Sequence, residues 1–285
     1  MTELYQARPF LTALAQRLAD GGIESPRRDA NLLVQMALGL EATILSHHEL
    51  SFDARASDAL EALIARRLEG CPISRLRGYR EFYSLLFHLN EDTLDPRPDS
   101  ECLVDAAIEA IGNKSAHIAD FGTGSGCLLL SVLAHCPHAT GVGLDLSEGA
   151  IRQARDNAAY HDLTSRAQFQ ISDWDSALEK GQMFDVILSN PPYIPVSHKD
   201  SLSREVKDFD PPMALFAGES GLRDYEILIP KIVGRLLDGG ACFIEIGKGQ
   251  ETDVIAIAEQ AGLNYQNAKR DLSSIIRCLH FVQQK

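Results

Sequence analysis

Residues 117–130 read HIADFGTGSGCLLL, and this segment indicates the fold class more clearly than the rest of the sequence. An apolar run ending at Phe121 leads into three glycines at alternate positions, and an apolar helical pattern begins at Cys127. Glycine lets a backbone turn tightly and approach a ligand closely. The N-terminus of the next helix adds free N–H groups and a positive dipole end. Because open α/β sheets bind ligands at the carboxyl ends of their strands, the stretch predicts a strand, a ligand-binding loop and a helix.

The same alternation of strand, turn and helix continues to the end of the chain. Apolar runs predict strands at 117–121, 140–145, 167–171, 184–189, 240–246 and 274–282. Helical periodicity lies between them, at about 126–135, 148–161, 223–237 and 250–261. Such alternation indicates an α/β fold with a parallel sheet and helices on both faces. The polar stretch 194–222 is long enough to be a lid or binding loop.

The N-terminal part has a different pattern, which predicts helices throughout the first 70 or so residues. A first helical run begins at Leu4, and Ser25-Pro26 combines a capping residue with a proline at the first helical position. Apolar residues at 82–89 predict a short hairpin. We therefore divide the chain into a helical domain at 1–72, a hairpin connector at 73–98 and the α/β domain at 99–285.

Composition narrows the class of protein. The 285 residues are 45% hydrophobic and 24% charged, as in ordinary globular proteins. The net charge of −13 argues against a nonspecific grip on nucleic-acid phosphates. The six cysteines form no C-x-x-C pair, which favours reduced thiols. With no apolar run near the ~20 residues that span a bilayer and no secretion signal, we expect a cytoplasmic protein without membrane contact.

An acidic residue, Asp145, ends the second strand, 19 residues after Gly126. A carboxylate at this position can accept both ribose hydroxyls of an adenosine group, and Leu146 beside it can pack on the adenine. The alternative is a helix cap, because Asp145 and Ser147 precede a predicted helix. Since strand, spacing and upstream loop agree, the ribose role is favoured.

The third strand is followed by Asp173 and by Trp174, the only tryptophan. Asp173 can accept a hydrogen bond from an adenine amino group, and Trp174 can form a wall of the adenine site. An Asp turn with a partly buried tryptophan explains the same residues. The pattern leaves both interpretations open.

The fourth strand ends in Asn190-Pro191-Pro192-Tyr193. Each proline fixes its φ and donates no N–H, and the residue before a proline is extended. The Asn190 side-chain oxygen and the Pro191 carbonyl are thereby expected to accept the two N–H bonds of a planar NH2 group, with Tyr193 on its flat face. A simple strand-ending turn is the alternative. Beside a glycine loop, the motif favours methyl transfer to an amide or an exocyclic amine.

The loop from Gly122 to Gly126, with Asp120 two residues before it, resembles the S-adenosylmethionine loop of Rossmann-like methyltransferases, because its third glycine comes one position earlier than in a dinucleotide fingerprint. Nearly the whole chain resembles the HemK-type release factor glutamine N5-methyltransferases. The segments that carry this resemblance are Ser25–Ala30, Gly78–Phe82, Pro96–Glu101 (similar to PRP[DE]TE, with Ser for Thr), Asn190–Tyr193, Phe209–Leu215 and Ile244–Gly247 with Gln250. Departures are Ile73–Leu76, which replaces a stretch with an aromatic residue, and Asp271–Ser274, which lacks a Gly-Arg-Asp turn.

The resemblance implies a class I methyltransferase domain with a mostly parallel seven-stranded sheet, a helical substrate-docking domain and a connecting hairpin. It implies S-adenosylmethionine as the cofactor, S-adenosylhomocysteine as the product and no metal. The cofactor contacts that the resemblance implies are Gly122, Thr123, Gly124, Ser125, Gly126, Asp145, Trp174 and Asn190. To these we add Asp120, Leu146 and Asp173 from their positions beside the loop and after the second and third strands. The implied substrate contacts are Asn190, Pro191, Pro192, Tyr193 and Arg97, of which Asn190, Pro191 and Tyr193 are catalytic.

The implied substrate is the Gln of the Gly-Gly-Gln loop of class 1 peptide-chain release factors. A sibling family methylates a ribosomal protein and has PRSP where this chain has Arg97-Pro98-Asp99, which favours the release-factor branch. A nucleic-acid amine methyltransferase would use the same pocket, but the charge of −13 counts against it. A noncatalytic binding protein is disfavoured by the intact pair of glycine loop and Asn-Pro-Pro-Tyr.

Overall fold

A computed structural model describes residues 3–42, 44–45 and 47–283. The helices are α1 (Ala7–Asp20), α2 (Pro26–Leu38), α3 (Ala54–Leu68), α4 (Ile73–Arg77), α5 (Glu101–Ile111), α6 (Cys127–His135), α7 (Glu148–Tyr160), α8 (Arg204–Phe209), α9 (Arg223–Arg235) and α10 (Glu251–Ala261). The strands are β1 (Glu3–Gln6), β2 (Glu49–Phe52), β3 (Tyr79–Phe82), β4 (Leu85–His88), β5 (His117–Phe121), β6 (Thr140–Asp145), β7 (Ala167–Ile171), β8 (Phe184–Ser189), β9 (Leu236–Glu245), β10 (Leu263–Arg270) and β11 (Ile276–Gln283). Short 3-10 turns lie at 98–100, 196–201 and 212–214.

The chain divides into two compact units, Met1–Gly78 with Ser203–Phe209, and Tyr79–Leu202 with Asp210–Lys285. In the first unit, the apolar faces of α1, α2 and α3 form one buried cluster. The buried Arg67 guanidinium pairs with Asp29 at 2.7 Å and with Glu205 of α8 at 2.6 Å. A buried charge of this kind is tolerated because it is paired.

The expectation of helices throughout the first 70 residues is wrong at two places. Residues 3–6 and 49–52 pair as the antiparallel strands β1 and β2. Leu4, from which a helix was expected, lies in β1 and is 68% exposed. Helix α1 begins only at Ala7, where the apolar residues have helical spacing. The residues before Ala7 are extended because their backbone pairs with β2.

The second unit is built on a seven-stranded sheet in the described part of the chain, with the order β10-β11-β9-β8-β5-β6-β7. Pairings from β7 through β9 are parallel, and β11 and β10 are added antiparallel. This confirms the expected mostly parallel sheet. One buried cluster joins β5 and β8 to α5, α6 and α7, and a second joins the sheet to α9 and α10. Helices therefore cover both faces, as alternation requires.

The order and register of the strands bring the site together. From β5 the chain adds β6 and β7 on one side and then β8 and β9 on the other. Phe121 is paired with Leu144 of β6 and with Ser189 of β8. The residues after these strand ends therefore emerge side by side, at the point where strand order reverses and ligands bind in such sheets.

The stretch 194–222 is more ordered than the expected loop. It contains α8 and two 3-10 turns. A bridge between Ile194 and Phe216 joins the segments that enter and leave it.

Candidate functional site

A cavity of about 460 Å³ opens at the carboxyl ends of β5, β6 and β8. Its volume suits a small-molecule ligand. The residues expected at a site and found in its lining are Arg97, Gly122, Thr123, Gly124, Ser125, Asp145, Leu146, Asp173, Trp174, Asn190 and Pro192. Four other expected residues, Asp120, Gly126, Pro191 and Tyr193, lie outside the lining.

The three glycines of the loop, Gly122, Gly124 and Gly126, have different structural roles. All have positive φ, at +77° for Gly122, +55° for Gly124 and +81° for Gly126. A Cβ on Gly122 or Gly124 would meet almost nothing, whereas one on Gly126 would lie 3.1 Å from the Leu130 side chain. The first two therefore leave space for a ligand against the backbone, and the third allows close packing of α6.

Asp120, which is buried in β5, supports the glycine loop at residues 122–126. It is fully buried, and the Thr123 hydroxyl donates to its Oδ2 at 2.7 Å. Its Oδ1 has no hydrogen-bond partner among the described residues. Burial raises the pKa of Asp120 to about 7. This carboxyl group holds the shape of the loop without facing the cavity itself.

Asp145 forms part of the cavity wall. Its Oδ2 accepts the Gly124 backbone N–H at 2.8 Å and its Oδ1 accepts that of Ser147 at 2.9 Å. Ser147 is the residue that caps α7, because its side chain accepts from the Ala150 N–H. Burial raises the pKa of Asp145. Each carboxylate oxygen has two lone pairs, so both can accept a further hydrogen bond from a ligand.

Trp174, Asp173 and Leu146 lie at the outer part of the cavity. Trp174 adopts a left-handed backbone with φ +52°, which is uncommon for a bulky residue. Leu146 is 58% exposed and Asp173 is also exposed. An apolar, partly open wall of this kind suits the flat face of an aromatic ligand.

The Asn190–Tyr193 turn emerges next to the glycine loop. The Asn190 Nδ2 donates to the Ser100 Oγ at 3.2 Å. The Tyr193 hydroxyl donates to Glu245 at 3.3 Å, and its backbone carbonyl accepts from Gln250 Nε2 at 3.0 Å. Burial raises the pKa of Tyr193 well above its ordinary value. The turn is thus anchored on both its side chains and its backbone.

Arg97 lines the same cavity and forms an ion pair with Asp210 at 2.6 Å. Asp210 is buried and also accepts the Asp95 backbone N–H. Since a guanidinium carries five N–H donors, Arg97 keeps donors for a ligand while Asp210 fixes its direction.

Sequence reasoning gave no role to Ser100 and Glu245, which contact the Asn190–Tyr193 turn. Glu245 is the single charged residue in the apolar run 242–246. A carboxylate in a buried strand is itself a signal, because it is costly without a purpose. Ser100 carries no comparable signal, since a serine before a helix is an ordinary cap.

Within 3–42, 44–45 and 47–283, no cluster of three or more His, Cys, Asp or Glu residues is arranged to hold a metal ion. In the same residues, no helix has the length and apolar character needed to cross a bilayer.

Comparison with known proteins adds family relationships to this geometry. Residues 10–78 match the PrmC N-terminal domain, and residues 93–205 match the methyltransferase small domain. The release factor glutamine methyltransferase of Rhodospirillum rubrum is 43% identical over 93% of this chain and 81% of its own length. That of Bradyrhizobium diazoefficiens is 41% identical, over 93% and 91%. A methyltransferase structure from Pyrococcus furiosus has a TM-score of 0.53 at 15% identity, covers 70% of this chain and 89% of its own, and supports the fold.

Proposed function

This chain belongs to the family of release factor glutamine methyltransferases, and we propose which of its residues carry out that reaction. The enzyme is an S-adenosylmethionine-dependent protein-glutamine N5-methyltransferase. It transfers a methyl group to the side-chain nitrogen of the Gln in the Gly-Gly-Gln motif of class 1 peptide-chain release factors. Its seven-stranded sheet and its cavity supply the frame for this chemistry.

The observation that carries the proposal is that Gly122 and Asn190 follow directly after the register pair Phe121–Ser189 and line one cavity. One motif would hold the cofactor and the other the substrate amide. Direct transfer requires the bound cofactor and the substrate amide to be in contact, because the reacting atoms must approach within about 3–3.5 Å.

The cavity fits S-adenosylmethionine by the chemistry of its lining. Gly122 and Gly124 leave the backbone open, and Asp145 offers carboxylate lone pairs for ribose hydroxyls. Trp174 and Leu146 supply apolar surface for the adenine. When bound, the cofactor supplies a methyl group on a positively charged sulfur. We propose no metal, because methyl transfer from a sulfonium needs no Lewis acid.

Asn190 and Pro191 are proposed to orient the substrate. An amide nitrogen is a weak nucleophile because its lone pair is delocalised into the carbonyl. The Asn190 side-chain oxygen and the Pro191 carbonyl would accept its two N–H bonds and hold the nitrogen toward the methyl group. Such orientation is worth ~7–11 kcal/mol in favourable cases. Pro192 lines the cavity with Asn190, whereas Pro191 and Tyr193 lie just outside the lining, where Tyr193 would support the turn and help to exclude water.

The partner is proposed to be a release factor in the cytoplasm and not a nucleic acid. Arg97, which lines the cavity and is held by its ion pair with Asp210, is proposed to contact the protein substrate. The net charge of −13 disfavours a nucleic-acid substrate, whose binding depends on clustered cations. The sequence Arg97-Pro98-Asp99 favours a release factor over a ribosomal protein.

The test is mass spectrometry of a release factor after incubation with enzyme and S-adenosylmethionine. We expect one added methyl group on the Gln of Gly-Gly-Gln, and none on a Gly-Gly-Ala variant, a ribosomal protein or nucleic acid treated in parallel. Asn190→Ala should abolish transfer while cofactor affinity is largely retained. Asn267→Ala, at an exposed position on β10, is the matched control and should transfer normally. Wild-type turnover by Asn190→Ala would refute the assignment.

A further inference from the structure

The side chain of Gln250 joins three segments behind the Asn190–Tyr193 turn. Its Nε2 donates to the carbonyl oxygen of Tyr193 at 3.0 Å and to that of Gly221, near the end of the stretch 194–222, at 3.3 Å. Its Oε1 accepts the backbone N–H of Gly247, in the loop after β9, at 2.9 Å. Gln250 itself lies outside the cavity lining. It can therefore affect a substrate only through the turn that it holds.

These contacts fix the orientation of the Gln250 amide. A carbonyl oxygen only accepts hydrogen bonds and a backbone N–H only donates. The NH2 group must therefore face Tyr193 and Gly221, and the oxygen must face Gly247. The Gln250 backbone N–H also donates to the Gly247 carbonyl at 3.2 Å, which closes the turn that leads into α10. The side chain is thus held at a fixed point of the sheet domain.

Two glycines leave the space that this arrangement needs. Gly221 has a φ of +76°, and a Cβ there would lie 2.5 Å from the Tyr193 carbonyl oxygen and 3.0 Å from Gln250 Nε2. A Cβ on Gly247 would lie 2.7 Å from Gln250 Oε1. Because a packed interior does not absorb such overlaps, a side chain at either position would displace the amide or the turn. The amide is therefore packed against these backbones as well as hydrogen-bonded to them.

The Asn190–Tyr193 turn needs an anchor of this kind because of its two prolines. Pro191 and Pro192 have no N–H to donate, so the backbone cannot be held there by its own donors. The turn is held at its ends, where the Asn190 side chain donates to Ser100 and the Tyr193 carbonyl accepts from Gln250. Since each proline also fixes its φ, the chain between these ends is stiff. Holding the Tyr193 carbonyl therefore restricts the direction of the Pro191 carbonyl.

We propose that Gln250 is a positioning residue, which clamps the Asn190–Tyr193 turn to the end of the stretch 194–222 and so directs the Asn190 and Pro191 oxygens at the substrate NH2 group. The inference rests on the proposed function, in which those two oxygens accept the N–H bonds of the substrate amide. It adds that one side chain behind the cavity holds the substrate turn and the stretch 194–222 in a fixed relation. A clamp of this kind acts on transfer without touching the cofactor.

Steady-state kinetics with a release factor test the clamp. Gln250→Met keeps the length of the side chain but removes its hydrogen bonds, and Gln250→Glu places a carboxylate against two carbonyl oxygens. Each should lower kcat about 10- to 100-fold, because a displacement of about 1 Å at a reacting group can cost about 10²-fold. KM for the release factor and the calorimetric Kd for S-adenosylmethionine should keep their wild-type values. Gln266→Glu, at an exposed position on β10, is the matched charge control and should transfer normally.

Two outcomes of these kinetics would overturn the inference. The first is a wild-type kcat in Gln250→Met. The second is a fall in kcat that comes with weaker cofactor binding, since that would indicate a general structural role for Gln250.

A matched pair of glycines tests the same contact from the other side. Gly221→Ala brings a Cβ within 2.5 Å of the Tyr193 carbonyl oxygen, whereas the Cβ of Gly218→Ala meets the Arg223 side chain at an ordinary 3.5 Å. Both positions have a similar positive φ, +76° and +73°, so the backbone cost is shared. Gly221→Ala should lower kcat as Gln250→Met does, and Gly218→Ala should not. Because Gln250 and Gly221 act through one contact, the double variant should lose less than the product of the single losses, and a full product would contradict the clamp.

Hydrogen exchange of the free enzyme provides a measurement that needs no substrate. The Ile194 N–H donates to the Leu215 carbonyl at 2.9 Å, and the Ala217 N–H donates to the Ile194 carbonyl at 3.0 Å. Both amides should exchange about tenfold faster in Gln250→Met, because the clamp that limits local opening is gone. The Gly122 N–H of the glycine loop should keep its wild-type rate. If exchange rises but the wild-type enzyme methylates no release factor, the proposed function fails while the clamp stands; unchanged exchange in Gln250→Met would overturn the inference.

Discussion

Substitution of Asp145 by Asn tests the cofactor assignment most directly. The carboxylate accepts backbone N–H bonds from Gly124 at 2.8 Å and Ser147 at 2.9 Å, one on each oxygen. Asn has nearly the same shape but only one acceptor oxygen. Whichever way it turns, its NH2 group faces either a backbone N–H or a ribose hydroxyl that the carboxylate would have accepted.

The size of the effect follows from these contacts. A hydrogen bond to a charged acceptor contributes ~1.5–3 kcal/mol, and the substitution removes at least one such bond in the cofactor complex. Since about 1.4 kcal/mol is a tenfold change in Kd, Asp145→Asn should weaken binding of S-adenosylmethionine by about 10- to 100-fold. Burial raises the pKa of Asp145, so the carboxylate is held in a site where solvent screens it little.

Isothermal titration calorimetry with S-adenosylmethionine and S-adenosylhomocysteine measures this change. Asp156→Asn is the matched control, because it removes the same charge from an exposed position of α7. It should bind both ligands like the wild type. The ribose assignment is refuted if Asp145→Asn keeps the wild-type Kd while circular dichroism shows an intact fold.

Three further predictions follow from single residues. Trp174 is the only tryptophan and lines the cavity, so its fluorescence should change on addition of S-adenosylmethionine, and Trp174→Phe should abolish the signal. Because burial raises the pKa of Glu245 from 4.5 to about 7, ionisation destabilises the fold as the pH rises through that range. Glu245→Gln should therefore increase the free energy of unfolding above pH 7 by about 1–3 kcal/mol, and the gain should vanish in acid, as urea melts at several pH values would show. Gly126→Ala should destabilise the protein by about 1–2 kcal/mol from its φ of +81°, with an added packing cost from a Cβ 3.1 Å from Leu130. Gly124→Ala should show only the backbone cost in the same melts, and equal losses would contradict the packing argument.

The central strands could be predicted from the sequence because burial makes them continuous apolar runs. The expected bounds 117–121, 140–145, 167–171 and 184–189 agree with β5 to β8. Strand β9 begins at Leu236, earlier than expected, because Asp238-Gly239-Gly240 resembles a turn. Pairing with neighbouring strands overrides such local signals.

Strand β10 and helix α8 could not be predicted from the sequence, because exposed elements have no continuous apolar run. Strand β10 reads LNYQNAKR and is largely exposed at the sheet edge, so neither hydrophobicity nor alternation marks it. Helix α8 is only six residues long and has no buried residue. Such elements depend on contacts with the rest of the fold, which a local pattern does not contain.

The motifs of the site were predictable, whereas the contacts beneath them were not. Parallel register places Gly122 beside Asn190 once the strands are known. Ser100 is 90 residues from Asn190 along the chain, and no spacing rule connects the two. The direction of Tyr193 was equally hidden, since its hydroxyl is directed by a carboxylate on β9.

Two buried carboxylates lie where the parallel strands end, at positions where packing alone would favour apolar residues. Asp120 is next to the last residue of β5, and Glu245 is the last residue of β9. Each has one oxygen without a partner among the described residues, and burial raises the pKa of each to about 7. Proteins that depart from the rules of a stable core do so mainly at functional sites. Asp120 supports the glycine loop and Glu245 supports the Asn190 turn through Tyr193, so the stability lost here maintains the two surfaces that we propose bind the cofactor and the substrate amide.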